Sequence, residues 1–337
     1  MFLSTMTDFK PFILSALETM RLGELAAEGG KFKAIAYAKA IRGLKAFPGP
    51  ITTAEAVKDV PGVGAKIYAK IAEIVATGAL SAATRMRERT DIDAIQELLG
   101  VHGIGPVRAK ALLKAGIKSV RDLRAAAHAD VALLTAAQTL GLKHYEDGLE
   151  RIPRAEMATH EARLLSHLPF ALRGVVVGSY RRGAVDSGDV DLLVTYDSSV
   201  TAKAASTAFQ AYVQSLQDTG VVVDALVSGP KKWMGYTRLP GGKARRLDLL
   251  LTPPAEFGFA VLYFTGSDRF NVAMRAYANT KGLTLNEHGF KLEPKDGIHG
   301  SLPEMPLPTE ASIFAFLRLT YIPPTERVDG HQILPLP

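Results

Sequence analysis

The 337-residue chain has no cysteine and a single tryptophan. Without cysteine there are no disulfides, thiolate metal sites or cysteine nucleophiles, which fits a reducing compartment. No apolar run reaches the roughly 18–20 residues that a bilayer-crossing helix needs, so an integral membrane protein is not expected. The opening stretch, MFLSTMTDFKPFIL, lacks both a cationic lead and a long apolar centre, and a secretory signal is not expected. Disorder is also disfavoured, because 47% hydrophobic and 22% charged residues are ordinary for a chain that buries a core.

What is present is unevenly charged. The net charge is +6, and residues 1–90 hold 13 Lys/Arg against 8 Asp/Glu, whereas residues 91–150 hold 7 against 8. A basic excess at one end points to an anionic partner such as nucleic acid, although a generic basic surface gives the same count. Residues 10–150 carry apolar positions at helical spacing, as in Ile67, Ile71, Ile74 and Val75. The charged run 85–93 reads as a linker. Beyond about residue 170, β-branched and leucine-rich runs at 175–177, 190–195, 221–223 and 247–251 predict strands of one sheet.

One short repeat stands out. Val60-Pro61-Gly62-Val63-Gly64-Ala65-Lys66 recurs as Val101-His102-Gly103-Ile104-Gly105-Pro106-Val107, each between two helical segments. Gly-x-Gly permits a tight turn with close backbone approach. The amides at the start of the following helix can then hold a phosphate oxygen. This is the helix-hairpin-helix pattern, which grips nucleic-acid backbone without reading sequence.

The sharpest chemical feature is Gly188-Asp189-Val190-Asp191-Leu192. On a strand, that spacing turns both carboxylates to one face, where they repel unless a cation neutralises them; dense hard oxygen ligands suit Mg²⁺. Asp248, in Arg245-Arg246-Leu247-Asp248-Leu249, joins them if its strand is a neighbour. Three carboxylates around two Mg²⁺ ions can activate an attacking hydroxyl and stabilise a leaving oxygen. A lone Asp-x-Asp is most often a solvated strand edge. Here, however, a strand runs into Gly178-Ser179-Tyr180-Arg181-Arg182-Gly183, a turn with a hydroxyl and two guanidinium groups suited to a polyphosphate.

These residues carry a resemblance. GSYRRGAVDSGDVDLLV (178–194) resembles the nucleotidyltransferase signature of the family X DNA polymerases, and the likeness continues at Arg151-Ile152-Pro153-Arg154, Arg245–Asp248, Leu262–Asp268, Asn271, Met274-Arg275 and Gly282–Glu287. It implies that Asp189, Asp191 and Asp248 bind two Mg²⁺ ions, with Mn²⁺ as an alternative, and that Asp248 takes the proton of the primer 3′-hydroxyl. Arg246 would set the charge state of Asp248 beside the DNA. Arg151, Ser179, Arg182, Ser187 and Gly188 would bind the triphosphate, and Tyr263, Phe264 and Gly266 would line the sugar. Asp268 and Asn271 would contact the incoming base, and Arg275 the template minor groove. From the residues alone, Tyr263 and Phe264 read rather as core aromatics.

The same resemblance implies a lyase. Lys66 and Lys70 share a helix face, where a neighbouring ammonium and a positive helix end disfavour protonation. A neutral lysine can form a Schiff base, and Lys70 matches the position that removes a 5′-deoxyribose phosphate. Lys33, Tyr37, Lys39, Lys58 and Lys66 match positions that hold the 5′-phosphate or the strand. Gly62, Gly64, Gly103 and Gly105 would contact DNA backbone, with a monovalent cation at the hairpin turns. Departures from the family pattern fall mostly here: Ala69 replaces an acidic residue, Ala82 a lysine and Phe32 a polar residue, while Glu287-His288 replaces an acidic–tyrosine pair.

The expected fold is α+β: helical helix-hairpin-helix domains, then a nucleotidyltransferase palm with a mixed sheet, then a small α/β C-terminal subdomain. The modules are 10–85 (lyase), 86–150 (DNA-binding), 151–254 (palm) and 255–337 (nucleotide selection). The expected function is gap filling in base excision repair by a monomer acting on gapped or nicked DNA and deoxynucleoside triphosphates, away from membranes. The expected location is intracellular: nuclear in a eukaryotic host, cytoplasmic or viral otherwise. Two alternatives stay open: a template-independent nucleotidyltransferase, and a non-catalytic DNA-structure-binding protein that uses only the hairpins.

Overall fold

A computed structural model describes residues 7–27, 29–292 and 307–336; residues 1–6, part of the opening stretch considered above, lie outside it. Two compact units divide at Tyr145/Glu146.

The first unit is helical. Helices Lys10–Ala26, Lys31–Ala46, Ala65–Thr77 and Ser81–Arg89 enclose a core that includes Ile13, Leu17, Tyr37, Leu44, Ile67, Ile71 and Ile74. The 3.6-residue period of the last three places them on one buried stripe. A second core, with Leu98, Val101, Ile104, Leu112 and Leu123, is built by Ile92–Leu99, Pro106–Lys114, Val120–Ala129 and Ala136–Lys143. The charged run 85–93 is not an open linker. It is helical to Arg89, breaks for two residues, and resumes at Ile92, which is buried with Leu22 and Ile95 between the two cores. Burying Ile92 and Ile95 outweighs the local charge density.

The second unit is built on a five-stranded mixed sheet. Its strands are β1 (Leu172–Val176), β2 (Val190–Tyr196), β3 (Val222–Ser228), β4 (Lys232–Arg238) and β5 (Ala244–Leu251), in the order β1-β2-β5-β4-β3. Only β2 and β5 run parallel. Helices Arg154–Ser166 and Ala202–Asp218 cover one face, packing Met157, Leu164, Phe209 and Tyr212 on Val190, Leu192, Val194, Leu247 and Leu249. On the other face Leu193 meets Ala260 and Val261 of helix Pro254–Thr265. Strand β4 escaped the sequence reading because Lys231-Lys232 and Gly235 mask its pattern. Gly235 is required, since a Cβ there would lie 2.1 Å from the Asp224 carbonyl oxygen across the ladder.

The C-terminal part packs helices Asp268–Thr280 and Glu310–Phe316 and the hairpin β6–β7 (Leu283–Asn286, Gly289–Leu292) around Phe270, Met274, Phe314 and Leu317. The α+β class read from the sequence is what the chain adopts. Among the described residues no helix is long and apolar enough to cross a membrane.

Candidate active site

Strand register assembles the carboxylates. In the parallel β2/β5 pair Asp191 lies directly opposite Asp248, so alternation turns both side chains to the face carrying Leu193 and Leu250. Asp189 sits in the bend one residue before β2 and is exposed, rather than on the strand itself. Burial, then the charges of Asp189 and Asp248, push the Asp191 carboxyl up to about 7. Asp248 is likewise raised, first by burial and then by Asp189, against the opposing pull of Arg246. Arg246 is the main local counter-charge: it donates to Asp248 Oδ1 at 2.5 Å and to the Gly235 carbonyl at 2.9 Å, with Tyr236 beneath its guanidinium. Among the described residues no three His, Cys, Asp or Glu side chains close a metal cage by themselves. The carboxylates instead form an open, electron-rich ledge.

The Gly-Ser turn overhangs this ledge. Val177 N–H donates to the Asp191 carbonyl at 2.9 Å, and a Cβ on Gly178 would lie 3.1 Å from Asp191 Oδ2. Ser179 Oγ donates to Ser187 Oγ at 3.0 Å. Arg151 donates to Asp186 Oδ1 at 2.6 Å and borders Gly188, where a Cβ would meet its Nη1 at 3.5 Å. Arg182 donates to the Thr265 carbonyl at 2.5 Å and faces Gly266. The two arginines of the turn differ in their partners. Arg181 is not a free phosphate donor: it is committed to Thr265 Oγ1 at 2.8 Å and to Glu310 at 2.7 Å. Glu310, buried 129 positions away in sequence, had no local signal that could reveal it.

Tyr263 and Phe264 pack edge to face at 5.2 Å near the end of helix Pro254–Thr265. Phe264 also joins the Val177/Leu193 cluster, so the core reading holds for part of it. Asn271 Nδ2 donates to the Tyr263 carbonyl at 2.6 Å, and Tyr263, Asn271, Arg275 and Asn286 line one crevice. Asp268 is exposed at the start of its helix.

In the helical unit the two hairpin turns share one backbone. Gly62 and Gly103 have φ of +98° and +85°, while Gly64 and Gly105 are extended residues that each open a helix. Lys70 lies on helix Ala65–Thr77, its Nζ 3.4 Å from the Lys66 carbonyl. Lys33, Lys39, Lys58 and Lys66 are exposed, with Lys33 3.5 Å from Glu24 and Lys58 paired with Glu55. Tyr37 is buried in the core.

Four stretches of the chain match known family models. Residues 9–80 match a helix-hairpin-helix domain, 96–148 the fingers domain of DNA polymerase lambda, 151–254 the DNA polymerase beta palm and 260–328 the DNA polymerase beta thumb. The chain is 37% identical to DNA polymerase lambda of Rattus norvegicus over 95% of its length and 56% of the relative's. With DNA polymerase lambda of Arabidopsis thaliana the identity is 30%, over 95% of this chain and 63% of that protein. With DNA-directed DNA/RNA polymerase mu of Homo sapiens it is 26%, over 89% and 65%. The chain thus spans somewhat over half the length of the curated relatives it matches.

Proposed function

The chain belongs to the family X DNA polymerases, and from that premise we propose that it fills short gaps in DNA, as in base excision repair. It adds a deoxynucleotide to a primer 3′-hydroxyl under template direction and carries a 5′-deoxyribose-phosphate lyase in its N-terminal helices. The observation that carries the polymerase reading is the opposition of Asp191 and Asp248 across parallel strands, with the charge of Asp189 near enough to raise both carboxyls and the Gly178-Ser179 turn against Asp191.

The donor set fits divalent cations. Three hard oxygen donors with Arg246 as the chief counter-charge leave excess negative charge that a cation relieves. Asp189, Asp191 and Asp248 would hold two Mg²⁺ or Mn²⁺ ions, which when bound supply charge stabilisation at the reacting phosphoryl group. The remaining roles are the chain's own. Asp248 accepts the 3′-hydroxyl proton, and its bond to Arg246 tunes that basicity. Arg151, Ser179, Arg182, Ser187 and Gly188 orient the triphosphate. Tyr263, Phe264 and Gly266 crowd a ribose 2′-hydroxyl, Asp268 and Asn271 meet the base, and Arg275 meets the template. Catalysis in such transfers is mostly positioning and electrostatics.

In this reading residues 10–85 hold the lyase, 86–150 a second DNA clamp, 151–254 the palm and 255–337 nucleotide selection. Both hairpins hold phosphates with their helix-start amides, so affinity falls steeply with salt. Lys70 is the Schiff-base nucleophile, and Lys33, Lys39, Lys58 and Lys66 hold the strand. The test is Mg²⁺-dependent incorporation on a one-nucleotide gap bearing a 5′-phosphate, compared with an open template and with single-stranded primer. Preference for the gap supports the reading. Equal extension without template, or none on any substrate, overturns it.

A further inference from the structure

The roles above leave Arg245 without a task, yet it is the strand residue next to Arg246 and is 5% exposed. Alternation along β5 turns it to the opposite face from Asp248. Its guanidinium is fully engaged there. It donates twice to Glu156, at 2.6 and 2.9 Å, and its third nitrogen reaches the carbonyls of Glu150 at 3.0 Å and Asp147 at 3.3 Å. Glu156 is backed in turn by buried His160, whose Nε2 stands 3.6 Å away. Adjacent residues repeat the clamp: Ala244 N–H donates to Asp147 Oδ2 at 2.9 Å, and Lys243 pairs with Glu150. Three consecutive positions, Lys243 just before β5 and Ala244 and Arg245 at its start, thus grip the segment 147–150.

That segment leads directly into Arg151. Just beyond it, Ile152 and Pro153 pair with Ser187 and Asp186. The backbone of Arg151 is therefore fixed from both sides: upstream by Arg245, downstream by a two-residue ladder. A long, exposed side chain gains precision only when its backbone cannot drift, and a bidentate guanidinium fork adds geometric specificity that an ammonium lacks.

We propose that Arg245 is a positioning residue for nucleotide binding: it locks residues 147–150 onto the strand that carries Asp248, and so aims Arg151 at the triphosphate. The inference rests on the polymerase reading and deepens it. It ties the carboxylate face and the triphosphate site together through one strand whose two faces do different work.

The experiment is a double-mutant cycle on the full chain, using single-nucleotide gap filling. Arg245→Lys is expected to raise the KM for deoxynucleotide about tenfold while kcat changes by less than about threefold. In an Arg151→Ala background the same change should add almost nothing to KM, because the residue it aims is gone. Glu156→Gln, an isosteric change, is expected to give a smaller KM rise that also vanishes in that background, and it serves if Arg245→Lys does not fold. An unchanged KM in a folded variant, or a penalty that persists undiminished without Arg151, overturns the proposal. Absence of incorporation by the unmodified chain instead overturns the polymerase reading, so the two failures are distinguishable.

Discussion

The palm site and the lysine face of the N-terminal helices are determined by the fold to very different degrees. In the palm, Asp191 and Asp248 are neighbours because two parallel strands pair in one register, and a slip of one residue would turn a carboxylate into the core. Burial and mutual repulsion then load the site with unfavourable charge. In the helical unit, Lys66 and Lys70 share a face simply because they are a turn apart, and the nearest geometric tie of Lys70 is a 3.4 Å approach to the Lys66 carbonyl. One site is held under electrostatic tension by the fold; the other is a solvated lysine face on which the fold imposes no such tension. The difference teaches that family likeness weighs most where the backbone offers no constraint of its own.

The sharpest way to break this comparison is Asp191→Asn. Incorporation should fall by at least about a thousandfold, while gapped-DNA binding, measured by anisotropy, stays near wild type. The same change relieves repulsion, so the metal-free protein should melt at a higher temperature. Substantial activity would sink the carboxylate assignment. The parallel change in the helical unit is Lys70→Ala. Borohydride trapping of an abasic-site adduct should be lost while gap filling persists. An adduct that survives the change, or that never forms in the unmodified chain, removes the lyase from Lys70.

Much of the palm was legible in the sequence because strands obey a period of two. Val190, Leu192, Leu247 and Leu249 had to face a core, and that fixed where Asp191 and Asp248 pointed. The hairpin turns were legible because only glycine suits the positive φ at Gly62 and Gly103. Long-range pairs were not. Nothing near Arg181 announces Glu310, and nothing near Arg245 announces the carbonyls of Asp147 and Glu150. Strand β4 was hidden because its stability comes from neighbours on both sides rather than from its own residues.

The electrostatic half of the comparison predicts a pH dependence. The Asp191 carboxyl is raised from its ordinary value to about 7 in the folded, metal-free protein. Between those values the native state binds more protons than the unfolded chain, so stability falls as pH rises through that window. Denaturant melts of the metal-free protein should show a loss of a few kcal/mol between acid and neutral pH at this site. Mg²⁺ should restore most of it at neutral pH and little of it in acid, where the proton competes for the same oxygens. In Asp191→Asn the slope should flatten. A slope unchanged by that substitution would place the titration elsewhere.

The smallest effects test the other half, through two glycines of one turn that do opposite jobs. At Gly62 the backbone has φ of +98°, and a Cβ would stand 2.7 Å from the amide nitrogen of Ala40. Both the strain and the collision lie in the folded protein, so Gly62→Ala should cost about 1–3 kcal/mol in denaturant melts. At Gly64 the backbone is extended and a Cβ would meet nothing within 4 Å. Gly64→Ala should therefore cost less than about 1 kcal/mol, chiefly as a poorer helix cap. Yet the added methyl stands at the helix-start amides proposed to hold phosphate, so DNA affinity should fall although stability hardly moves. Gly103→Ala should be the milder version of Gly62→Ala, since its Cβ would come no closer than 3.2 Å, to the Gln138 side chain, with the Gln138 backbone nitrogen at 3.4 Å. If Gly64→Ala leaves DNA affinity untouched, the first turn is a fold element only, and the helical unit must hold DNA through its lysines.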